Sequence, residues 1–110
     1  MKQYDIDELR LGEYENIKAY LDEKFGKSAV DDIYWIPIEK NCLTEMQLLH
    51  KDCRPHCFAV VLEENLMSCE FLIRTQNRIR CDCMGYADER QQHQIIQFAE
   101  DLFASLGIQA

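Results

Sequence analysis

The chain has 110 residues, 47% of them hydrophobic and 10% aromatic, which is enough for one core and too short for two. Its 20 acidic residues against 12 basic ones leave a formal charge of -8, so nucleic acid and anionic membranes are repelled at long range and drop out as partners. No stretch approaches the ~18 apolar residues of a membrane span. The N-terminus MKQYDIDELR has no apolar signal core, so a single cytoplasmic domain over residues 1–110 is expected.

Between Gly12 and Gly26, the residues Tyr14, Ile17, Leu21 and Phe25 recur at three- and four-residue spacing. That stripe predicts an amphipathic helix, with Glu13 and Glu15 at its positive end and Gly26 suited to the left-handed closing position. The run IYWIPI at 33–38 is β-branched and aromatic, and Pro37 cannot donate to a ladder, which predicts an edge strand carrying Trp35. Thr44 and Gln47 have capping-box spacing, so a short helix begins at Glu45 and stops before Pro55. Three strand-like runs follow, Cys57 to Glu63, Met67 to Arg74 and Arg78 to Tyr86, joined by polar connectors at 64–65 and 75–77. Asn77 suits the closing position of a three-residue hairpin loop. Asp88 with Gln91 opens the last helix, whose broad apolar face holds Ile95, Ile96, Ala99, Leu102, Phe103 and Leu106 before Gly107. This order predicts an α+β fold. A single antiparallel sheet, a three-stranded meander plus an N-terminal edge strand, is packed by an N-terminal and a C-terminal helix.

A three-residue loop at 75–77 sets Arg74 opposite Arg78 and Cys69 opposite Cys83. Strand alternation then places Cys57, Ala59, Val61, Cys69, Phe71, Ile73, Ile79, Cys81 and Cys83 on the core face. Ser68, Glu70, Arg74, Arg78, Arg80 and Asp82 take the other face, where the charges pair across strands. Phe58, Val60, Leu62 and Leu72 fall on that charged side. Unless a helix covers them, they and Trp35 form an apolar patch for a protein partner or a second copy of the chain.

Six cysteines in a reducing compartment are core residues, metal ligands or reactive thiols rather than three disulfides. On the predicted register Cys69, Cys81 and Cys83 are small hydrophobes under the C-terminal helix, and oxidation could join Cys69 to Cys83. A zinc site built from Cys53-x-x-x-Cys57 and Cys81-x-Cys83, with His50 or His56, is disfavoured, because Cys57 and Cys81 stand roughly 10 Å or more apart, whereas the ligand sulfurs of one zinc lie within about 4 Å of one another. His50, Cys53, His56 and Cys57 fall within eight residues and make a local candidate site for zinc.

No phosphate loop, H-E-x-x-H or G-x-S-x-G is present, no residue orients a Cys–His nucleophile pair, and His93 falls on the polar side of its helix. The sequence therefore predicts a non-catalytic protein-binding or adaptor module using an apolar sheet face. The alternative is a zinc-binding or thiol-redox protein using the His50–Cys57 segment.

Overall fold

Local signals set most elements in the computed structural model, which describes residues 3–26, 32–50, 53, 55–75 and 83–108. The stripe that begins at Tyr14 forms α1 (Leu11–Phe25), with Ile17 and Leu21 fully buried and the Arg10 N–H donating to the Glu13 carboxylate at 3.0 Å. Gly26 closes α1 at φ +78°, a conformation glycine adopts without steric cost. After β2 (Ile33–Pro37) and a 3-10 turn at Lys40–Cys42, α2 (Glu45–Leu49) starts behind Thr44. The Thr44 hydroxyl accepts the Gln47 N–H at 3.2 Å, and the Gln47 amide oxygen accepts the Thr44 N–H at 3.0 Å. α3 (Glu89–Ser105) begins with the same reciprocal pair, Asp88 and Gln91.

The strands form one open antiparallel sheet, as the α+β reading expects. β3 (His56–Glu63) lies at its centre, with β2 along one edge and β4 (Leu66–Glu70) then β5 (Leu72–Thr75) along the other. β6 (Gly85–Tyr86) extends the sheet beyond β5. β1 (Gln3–Ile6) flanks β4 and adds a strand that the sequence did not announce. It is only four residues long, and its one signal is the alternation of Tyr4 and Ile6 with Gln3 and Asp5.

Both hairpin registers differ from expectation. The two-residue turn at Glu64 and Asn65 pairs Glu63 with Leu66, and therefore Leu62 with Met67 and Val60 with Cys69. An even position opposite an odd one brings Phe58, Val60 and Leu62 to the same face as Cys69, Phe71 and Ile73, reversing the predicted sides of β3. This is the covered face. Ile17 and Leu21 of α1 and Ile95, Ala99, Leu102 and Phe103 of α3 join it in one cluster, in which Phe58, Val60 and Leu62 are each 0% exposed. These three residues are core and offer no partner surface. In the second hairpin Leu72 pairs with Tyr86 and Ile73 with Gly85, so a three-residue loop does not set the register and Cys69 faces Tyr4 and Val60 instead of Cys83. Asn77, Arg78, Ile79, Arg80, Cys81 and Asp82 lie outside the described residues.

Between the two pairings of β3, Phe58 and Ala59 oppose the four residues Glu70 to Ile73, a bulge centred on Phe71. Arg74 and Glu70 then stand 3.9 Å apart on the outer face. Alternation sends Ile33, Trp35, Cys57, Ala59, Val61, Leu72 and Tyr86 to that same side, away from the buried stripes of α1 and α3. Among the described residues no helix is long and apolar enough to cross a membrane.

Candidate metal centre

The geometry starts at the end of α2. The His50 N–H is shared between the Met46 and Gln47 carbonyls at 3.2 Å each, and the Cys53 N–H returns to the His50 carbonyl at 3.1 Å. This tight turn lays the Cys53 sulfur 4.0 Å from His50 Nδ1. The third donor comes from thirty residues further along: Cys83, two residues before β6, completes a group whose three donor atoms all lie within 4.8 Å of one another. Cys53 and Cys83 are buried and His50 is half-buried.

A pair of buried amides fixes Cys83 to this corner. Gln47 Nε2 donates to the Cys83 carbonyl at 3.2 Å, while Gln47 Oε1 accepts from Gln91 Nε2 at 2.8 Å. Gln91 Nε2 also donates to the Cys42 carbonyl at 2.9 Å, and its Oε1 accepts the Asp88 N–H at 3.2 Å. Each glutamine therefore caps its own helix and also satisfies a distant backbone group. The two are 3% and 1% exposed, and buried amides with partners on both ends hold a single geometry.

The donor set suits zinc. Two thiolates and an imidazole are ligands it prefers, at about 2.3 Å for sulfur and 2.0–2.1 Å for nitrogen, and tetrahedral geometry places such donors about 4 Å apart. Contraction from 4.8 Å is within the reach of side-chain rotation. Of the sequence-predicted ligands, His50 and Cys53 meet. Cys57 alternates to the outer face of the sheet, where it is 1% exposed and its thiol lies 3.8 Å from the Pro55 carbonyl oxygen. Burial pushes its pKa up to about 11. His56 points into the covered side opposite Thr75 and is 2% exposed. Neither belongs to the three-donor group.

Cys83 is the ligand that sequence reasoning consigned to the core. Its one advance signal was the C-x-C pair it makes with Cys81, which lies outside the described residues. Cys69 does behave as a core residue: it is fully buried, and desolvation with the Asp5 carboxylate nearby raises its pKa to about 12. Of the predicted partner-binding residues, Trp35 and Leu72 stay on the outer face, with Trp35 37% exposed and Leu72 half-buried. Comparison with known proteins finds no matching family model, no matching curated protein and no matching solved structure.

Proposed function

We propose that the protein is a zinc-binding module whose ion ties the end of α2 to the chain entering β6. The observation that carries this reading is the convergence of His50, Cys53 and Cys83 from two segments distant in sequence. Two neighbouring thiols deprotonate on binding, and the free energy of coordination then adds to folding stability because the unfolded chain holds no such site. Buried sulfurs favour a structural ion over one presented to substrate. Cys81, two residues before Cys83 in the sequence, is the fourth ligand to test. Protein purified without chelator should contain one zinc per chain by elemental analysis. Cobalt substitution should give the thiolate charge-transfer and tetrahedral bands, both lost in Cys53→Ala and Cys83→Ala. A metal-free chain that folds cooperatively and takes up neither ion at micromolar concentration would refute it.

A second reading, the protein-binding module, is favoured by two aromatic side chains on the outer side of the sheet, Trp35 and Tyr86, which are 37% and 58% exposed. Asp5, Glu63 and Glu70 share that face with a single described cation, Arg74, which is already beside Glu70. The complementary partner is an apolar protein segment flanked by lysine or arginine. Trp35 is the chain's one tryptophan, so its emission should shift to the blue on titration with an alternating Leu-Lys peptide and not with Leu-Glu. An equal response to both peptides, or to neither, removes this reading.

A further inference from the structure

We infer that the zinc site is under redox control: hydrogen peroxide, and not a bulky disulfide, joins Cys53 to Cys83, releases the ion, and leaves the end of α2 covalently tied to the chain before β6. This regulation rests on the zinc reading above. Its basis is that both sulfurs belong to one group whose donor atoms all lie within 4.8 Å of one another. From there, rotation of two short side chains reaches the roughly 2.05 Å of a disulfide. The backbone on either side is already held, by the Gln47 amide on the Cys83 carbonyl at 3.2 Å and by the Cys53 N–H on the His50 carbonyl at 3.1 Å. The bond therefore forms across a corner that stays in place.

Cys42, Cys57 and Cys69 stand outside that group. Cys57 has its thiol against the Pro55 carbonyl at 3.8 Å, and Cys69 stands between Tyr4 and Val60 in the covered layer. Burial pushes these two thiols up to about 11 and about 12, so both stay protonated at neutral pH and react poorly with a peroxide. As ligands, Cys53 and Cys83 are thiolates. They are also buried, with only His50 of the three donors half-exposed to solvent, so a molecule little larger than water reaches the sulfurs and a peptide disulfide does not.

The chemistry needs one peroxide. One thiolate attacks a peroxide oxygen, the O–O bond breaks, and a sulfenic acid forms as hydroxide leaves. The second thiolate attacks that sulfur, the S–O bond breaks, the S–S bond forms, and a second hydroxide leaves. The sulfurs together lose two electrons, the peroxide gains them, and two protons from solvent turn the hydroxides into water. With both thiolate charges gone, His50 alone of the three donors can still hold the cation, and the ion departs.

The test uses the full chain loaded with zinc, with release read by a chromophoric zinc indicator. Stoichiometric hydrogen peroxide should release the ion, and dithiothreitol with added zinc should restore the loaded protein. Mass-spectrometric mapping should find a single new bond, Cys53 to Cys83. The oxidised protein should unfold at a higher temperature than reduced protein stripped by a chelator, because the bond closes a loop across β3, β4 and β5. Glutathione disulfide should release zinc at least about tenfold more slowly than peroxide, and Cys57→Ala should respond as the parent chain does. Zinc retained in peroxide, a bond to Cys81 or any other cysteine, loss that dithiothreitol does not reverse, no gain in unfolding temperature, or an equal response to glutathione disulfide would each overturn the inference and leave the zinc reading standing. A chain that takes up no zinc removes both.

Discussion

Cys57 and Cys69 in the sheet, and Cys53 and Cys83 at the corner beyond α2, are almost equally hidden from solvent, at 1%, 0%, 4% and 3% exposure. What separates the pairs is company. Cys69 sits among the apolar residues of the core, with Val60 and Tyr4 as its strand partners, while Cys57 lies on the outer side of the same strands. Both are desolvated thiols whose pKa values rise to about 12 and about 11. Cys53 and Cys83 lie near one another and near an imidazole. Burial alone therefore does not tell a packing cysteine from a ligand; the neighbouring donors do.

The largest expected effect tests the sheet side of that contrast. Val60→Asp places a carboxylate with no partner beside Cys69 in the covered layer and should cost about 3–5 kcal/mol, abolishing a cooperative thermal transition. A folded, stable Val60→Asp protein would mean that β3 faces the other way. Next, Cys83→Ala should lower zinc affinity by about 100-fold or more, measured by competition with a chromophoric chelator. Cys69→Ala should leave that affinity unchanged and cost about 1 kcal/mol through the small cavity it leaves. Equal zinc affinities in the two variants would erase the distinction between the pairs. Gln47→Leu removes the amide that holds the Cys83 carbonyl, and a loss of roughly 10–100-fold in zinc affinity is expected, alongside about 1 kcal/mol of lost helix capping.

The two regions should also respond oppositely to pH. Cys57 and Cys69 have folded pKa values raised above the ordinary thiol value of 9.0, so their contribution is fully present below that value. It is lost as pH climbs toward about 11 and then about 12, because the unfolded chain releases its thiol protons first. Urea midpoints should fall across that window, less steeply in Cys69→Ala; parallel slopes in the two proteins would reject the assignment. Zinc at His50, Cys53 and Cys83 should dissociate on acidification, where protons compete for the ligands. The smallest effect belongs to Glu70→Gln, since the solvent-facing Glu70–Arg74 pair at 3.9 Å should contribute less than about 0.5 kcal/mol.

Elements specified by neighbouring residues were legible in advance. Thr44 with Gln47 and Asp88 with Gln91 marked two helix starts, and the stripes from Tyr14 and from Ile95 marked the packing surfaces of α1 and α3. His50 and Cys53 were readable as a donor pair because one turn of chain brings them together. The side of the sheet to which β3 turns was not readable. Cys57 to Leu62 is apolar at every position, so it carries no alternation, and the decision fell to whether an even or an odd position stands across a turn.

By itself, then, the sequence determined an α+β chain with three helices at stated places and a His–Cys pair at the end of the second. Tertiary structure alone decided that Val60 is core and that Cys83 comes to His50 and Cys53. Helix caps and stripes act over three or four residues and are written into the local chain. Strand register and the meeting of side chains thirty residues apart depend on how the whole sheet closes over its helices.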